Sequence, residues 1–182
     1  ADFPVKPIHY ENISTIMFLS PEVAAVGLSE QKAQELKIPI RVSKIDYSMI
    51  ARAIAMRKTT GFFKIIVSDD DDMKVLGMRA VGEHASSAIQ SVSLLMYMNK
   101  GIDELAHMIH PHPSIVEGVQ ECVRMLIGKS IYKSSVFKDK LKCYKRTIDG
   151  EKLPLHTLTD NPEEKLYRAK MIEMNRTRVN YN

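Results

Sequence analysis

The chain has 182 residues, a formal net charge of +4, 45% hydrophobic residues and 26% charged residues. At roughly 100 to 200 residues per domain this is one domain, or one with an appendage, and the composition excludes intrinsic disorder, collagen-like repeats and coiled-coil arrays. Apolar runs such as Ile16-Met17-Phe18-Leu19 fall far short of the roughly 20 residues of a membrane-spanning helix, so no membrane is expected as a partner.

The sequence opens Ala1-Asp2-Phe3-Pro4, with no initiator Met, basic start or apolar h-region; it is expected to be cut from inside a longer protein. Residues 16–19 and 23–26 read as strand pieces separated by Ser20-Pro21, and Ser29 is a fitting N-cap for a short helix that runs to Lys37 and is stopped by Pro39. Residues 40–47, 61–68 and 74–81 are rich in β-branched and aromatic side chains. The last two flank an Asp-rich turn, which predicts a hairpin within an antiparallel sheet.

From Glu83 the apolar period changes to 3.6: Ala85, Ala88, Ile89, Val92, Leu95 and Met96 form one stripe, closed by Asn99-Lys100-Gly101. A second helix is expected over 102–109, broken by His110-Pro111-His112-Pro113 and restarting at Ser114. Strands first and helices afterwards give an α+β fold, an antiparallel β-sheet packed against helices.

Charge shifts at Gly128. Residues 1–127 hold 13 basic and 15 acidic residues, whereas 128–182 hold 13 basic and 7 acidic. A boundary is therefore placed there: 1–127 as the main domain and 128–182 as a basic, partly helical C-terminal extension, in which Asn161, Pro162 and Glu163-Glu164 announce a last helix.

Cys122 and Cys143 lie too far apart for a Cys-x-x-Cys site and too few for a disulfide scaffold, which points to a reducing cytosol and a cytoplasmic protein. None of the eight glycines forms a Gly-x-Gly. The chain therefore has no dinucleotide or triphosphate cradle and no serine elbow; it is not expected to bind a cofactor or to be a complete enzyme by itself.

The sharpest local feature is His110-Pro111-His112-Pro113-Ser114-Ile115-Val116-Glu117. A Glu beside a His can fix its tautomer and favour its protonated form, giving an acid/base useful near neutral pH. Ser114-x-x-Glu117 is equally a capping box, in which Glu117 only closes a helix N-terminus. His107, His110 and His112 fall close together, but the prolines break the helical register and no Cys or Asp completes a metal set, so no metal is expected. Asp69 to Asp72 lacks the Gly and distant Glu of a calcium loop and reads as a solvated turn. The basic and aromatic stretch from Tyr132 to Arg146 carries too modest a charge excess for nucleic acid to be expected as a partner.

The order of motifs then resembles a known family. Pro21-Glu22-Val23-Ala24-Ala25-Val26-Gly27-Leu28-Ser29-Glu30, Arg52-Ala53, Gly61-Phe62-Phe63-Lys64-Ile65-Ile66-Val67, Val75-Leu76-Gly77 and His110-Pro111-His112-Pro113-Ser114-x-x-Glu117 together are similar to the C-terminal dimerisation domain of the pyridine nucleotide-disulfide oxidoreductases, the family of dihydrolipoamide dehydrogenase, glutathione reductase and mercuric reductase. The resemblance covers residues 8–127. It implies a homodimer in which His112 is the acid/base and Glu117 its orienting partner, projecting toward the active site of the other subunit, with a disulfide or dithiol as substrate. It also implies FAD and NAD(P) for the full-length protein, held by domains that precede this one in the family, so that this fragment alone is inactive. Ser114 stands where the family has Thr, Ser87 where many members have Glu, and Leu19 where Thr is frequent. Two other readings remain open from the sequence: a stand-alone homodimeric interaction module without catalysis, and a basic-tail binder of nucleic acid or an anionic surface.

Overall fold

A computed structural model describes residues 8–132 and 136–155. Among the described residues seven strands form one antiparallel sheet: β1 (Thr15–Met17), β2 (Val23–Gly27), β3 (Ile40–Asp46), β4 (Phe62–Ser68), β5 (Val75–Val81), β6 (Leu141–Arg146) and β7 (Lys152–Pro154). Their order is β1-β2-β5-β4-β3-β6-β7. The helices are α1 (Glu30–Glu35), α2 (Ala51–Ala55), α3 (Ala85–Tyr97), α4 (Asp103–His107) and α5 (Glu117–Leu126), with 3-10 turns at Tyr10–Asn12 and Tyr47–Met49. This is the expected α+β arrangement, a sheet covered by helices.

The sheet forms where β-branched and aromatic residues alternate. In the β3–β4 pair Ile45 lies opposite Phe63 and Ser43 opposite Ile65, so one face presents Ile45, Phe63, Ile65 and Val67 to the helices. Ala85, Ala88, Ile89, Val92 and Leu95 of α3 and Val119, Cys122, Val123 and Leu126 of α5 close the main core on that face. The opposite face is partly covered by α1, whose Ala33 packs with Ile40, Val42 and Ile66. Ser29 caps α1, its hydroxyl accepting from the Lys32 amide at 3.0 Å. α3 is capped from a distance instead: Glu22, in the Pro-Glu-Val motif, accepts from the Ser86 amide at 3.1 Å and hydroxyl at 2.8 Å.

The segment beyond Gly128 differs from its sequence reading. Gly128, at φ 72, closes α5 in the left-handed region that favours glycine. The chain then returns to the sheet, with β6 pairing alongside β3 and β7 alongside β6. The described part of the expected basic, partly helical extension is a strand pair continuous with the sheet; the helix expected from Asn161 lies outside the described residues. Leu141 and Cys143 of β6 face the main core and Tyr144 the α1 side. Basic residues of the β6–β7 hairpin meet acids far off in sequence: Lys145 of β6 meets Asp69 at 2.6 Å, and Arg146 of β6 and Lys152 of β7 approach Glu30 at 3.8 and 3.9 Å. A basic stretch neutralised in this way has no local pattern to mark it as sheet. The α2 helix was not expected either, because five residues are too short to show a period.

Candidate acid/base pair

Three elements place the pair. The chain leaves α4 at His107, passes through His110-Pro111-His112-Pro113, and turns into α5 at Glu117. Gly118 follows immediately, and a Cβ there would collide with the side chains of Ile50 and Phe63. Only glycine lets the first turn of α5 sit this close to β4, which fixes where Glu117 stands.

Nδ1 of His112 lies 2.7 Å from Oε1 of Glu117. The other carboxylate oxygen, Oε2, accepts from the Ser114 amide at 2.9 Å. One side chain thus carries both readings of the sequence: Glu117 supplies its half of the capping box and also contacts His112. Ser114 does not reciprocate, because its hydroxyl donates back to the Pro111 carbonyl at 2.6 Å. Burial pushes the Glu117 carboxyl up, but the Ser114 amide, the His112 contact and the Arg124 charge outweigh it and hold the group below the ordinary glutamate range. The His112 side chain is 71% exposed and that of Glu117 25%. The imidazole is anchored at one nitrogen and open to a partner molecule.

The other histidines do not join it. His107 Nδ1 lies 3.0 Å from the Asp103 carbonyl and His110 Nδ1 lies 3.1 Å from the Met108 carbonyl. Burial lowers His110 from its ordinary value. Among the described residues no three His, Cys, Asp or Glu side chains converge as metal ligands would. In the Asp-rich turn, Asp69 pairs with Arg41 and Lys145, and Asp70 accepts from Ser68 and the Met73 amide.

Beneath the pair is a cavity of about 120 Å³ lined by His112, Glu117, Glu121, Arg124, Tyr132 and apolar residues of the β3 to α2 segment. The sequence did not mark Glu121 or Arg124, and it marked Tyr132 only as part of the basic and aromatic stretch. The signal was there for Glu121, a carboxyl in phase with the core positions Gly118, Cys122 and Met125 of α5.

Residues 13–123 match the model of the pyridine nucleotide-disulphide oxidoreductase dimerisation domain. The chain belongs to that family. Over 127 residues the dimerisation domain is 37% identical to the dihydrolipoyl dehydrogenase of Chlamydia trachomatis, covering 70% of this chain and 27% of that protein. It is 32% identical over 130 residues to the mercuric reductase of Lysinibacillus sphaericus, covering 71% and 23%. Its fold matches the crystal structure of LpdA from Mycobacterium tuberculosis with a TM-score of 0.63 at 25% identity, over 67% of this chain and 26% of that one. The chain therefore spans about a quarter of the length of these relatives. The matched family is one of dimerisation domains, which implies self-association. The hairpin of β6 and β7 lies beyond the matched residues.

Proposed function

We propose that this domain supplies His112 and Glu117 as the acid/base pair of a dihydrolipoamide dehydrogenase-like disulfide oxidoreductase, acting at the active site of the second subunit of a homodimer. The observation that carries the reading is the 2.7 Å contact between an exposed imidazole and a carboxylate that is itself anchored by the Ser114 amide. With its proton on Nδ1, His112 donates to Glu117 and leaves Nε2 to accept a proton. A dithiol substrate would give up its S–H proton to Nε2, and the thiolate so formed is the species that attacks a disulfide. Glu117, ionised and fixed, stabilises the resulting imidazolium. In the reverse direction the imidazolium returns the proton to the departing thiolate.

The residues of this chain do not fit FAD or NAD(P): it has no Gly-x-Gly, and His112 stands in an exposed loop rather than in a glycine-lined cradle. Those groups, supplying the electron chemistry, belong to other domains of the full-length protein in this reading. Alone, the domain binds no flavin and oxidises no NAD(P)H. The test is His112→Ala in the full-length protein. Turnover of its best dithiol or disulfide substrate should fall by roughly 10² to 10⁴, the usual range for a lost acid/base. Wild-type turnover in that variant would overturn the reading.

A further inference from the structure

Glu121 has no part in the chemistry above, yet it stands one helical turn after Glu117 on the same face of α5. Its side chain is 3% exposed. Oε1 accepts a short hydrogen bond from the Ser130 hydroxyl, which in turn accepts from the Tyr132 amide at 3.2 Å. The Tyr132 hydroxyl donates to the Met49 carbonyl at 2.8 Å, so residues 130–132 form a strap fastened at both ends across the cavity beneath the pair. Oε2 is different. It is buried and no group among the described residues meets hydrogen-bond geometry at it: the Ile131 and Tyr132 amides lie near the carboxyl without making such a bond to Oε2, and Arg124 Nη1, at 3.8 Å, is too far to serve as one.

We propose that Glu121 is a positioning residue for the His112–Glu117 pair, tying the Ser130–Tyr132 strap to α5 with one carboxyl oxygen and reaching Glu117 through water in the cavity with the other. The proposal rests on the acid/base reading of that pair. A buried oxygen left without a partner is strongly unfavourable, and water fills this role where a cavity is polar and roomy enough; about 120 Å³ holds several molecules. Fastening the strap uses only Oε1, and Glu121 also lines the cavity that holds His112 and Glu117.

The protonation states suit such a link. Burial raises Glu121 above the ordinary glutamate value by more than Ser130, the Ile131 and Tyr132 amides and Arg124 lower it, whereas Glu117 is held low. Over the intervening range Glu121 is a proton donor and Glu117 an acceptor, the two ends a water bridge requires. Once Glu121 ionises, two negative charges lie one turn apart and the hold on a proton at His112 tightens. Among the described residues the charged or titratable groups around Glu121 are Glu117, Cys122 and Arg124 on α5, Tyr132 on the strap and His112 on the preceding loop; the rest of the cavity lining carries no charge.

Nuclear magnetic resonance titration of the 182-residue chain, labelled at the Glu carboxyl carbons and His rings, tests this. Expected are a Glu121 carboxyl that titrates above Glu117, and a His112 curve in two steps, the smaller coinciding with the Glu121 midpoint. Glu121→Gln should merge the His112 curve into one step, with helix content unchanged. An ordinary Glu121 titration, or a His112 curve that Glu121→Gln leaves unaltered, would overturn the proposal. If Glu121→Gln does not fold, the wild-type curves decide, because a single-step His112 titration is itself the overturning result. Glu117→Gln separates the two readings. If it leaves His112 unmoved, the pair itself fails; if it moves His112 and Glu121→Gln does not, only the role of Glu121 fails.

Discussion

Nζ of Lys145 sits 2.6 Å from Oδ2 of Asp69, joining the β6 strand to the turn between β4 and β5. The second oxygen of Asp69 accepts from Arg41 Nε at 2.8 Å, and the carboxylate is only 7% exposed. Both cations lie on the strands that β6 and β3 bring side by side. Asp69→Asn leaves two partly covered cations facing an amide. It should lower unfolding stability by about 1 to 2 kcal/mol, a range kept below that of fully buried pairs because Lys145 and Arg41 are themselves partly solvated. Urea unfolding of the two proteins measures it; a loss within error of zero would mean that β6 is held by its backbone ladder and Leu141 alone.

The acidic groups give opposite pH dependences. Glu22, Glu30, Asp46, Asp69 and Glu117 are all held below their ordinary values, through hydrogen bonds and neighbouring cations that outweigh burial where burial opposes them. A depressed folded value contributes stability above the unfolded value and loses it as pH falls through the folded one. The domain should therefore lose stability progressively below about pH 4.5. Glu121 is raised by burial, so its contribution is complete below its unfolded value and is lost as pH rises through the folded one. Urea midpoints should fall on the acid side for both proteins, while Glu121→Gln flattens the decline on the neutral side. An unchanged neutral-side slope in the variant would contradict the sign assigned to Glu121.

Most of the sheet and the long helix were legible because their signals are local. The strands β2 to β5 carry β-branched residues between turn residues, and α3 buries the same Ala85, Ala88, Ile89, Val92 and Leu95 that its period marks. The contact of His112 with Glu117 was legible only as two alternatives, since the same spacing serves a cap and a pair, and the folded chain uses Glu117 for both. β6 was not legible. Its Lys145 and Arg146 read only as part of a basic and aromatic stretch, whereas Asp69 and Glu30, distant in sequence, receive them in the fold. The burial of Glu121 was legible from its phase on α5, but its partner was not: Ser130 lies past the glycine where the sequence suggested a boundary.

Self-association should use apolar surface that α3 leaves uncovered. Leu94, Tyr97 and Met98 are each about half exposed on it, whereas Leu95 is in the core. Phe18 and Leu19, after β1, are more exposed still. Leaving such surface wet is unfavourable by about 25 cal/mol per Å² of apolar area. Sedimentation at micromolar concentration should give a dimer, and Leu94→Glu combined with Met98→Glu should shift it toward monomer without loss of helix content. A wild-type chain that stays monomeric would show that association requires surface beyond this domain.

The two tasks of Glu117 can be separated in the full-length protein, because its oxygens have different partners. Glu117→Gln keeps an acceptor for the Ser114 amide but removes the negative charge beside His112. If capping were its only task, turnover would be nearly unchanged, since Gln also serves at that position of a capping box. If it orients and charges the imidazole, the acidic limb of the pH–rate profile moves downward while thermal stability changes little. Glu117→Ala removes both, and should add a stability loss of about 1 kcal/mol to the kinetic defect. His112→Ala should leave folding and association intact, because its ring is largely exposed, and lower turnover alone. Measured together, the three variants assign each oxygen its role: a pH–rate profile that Glu117→Gln does not move would reduce Glu117 to a cap, whatever His112→Ala does.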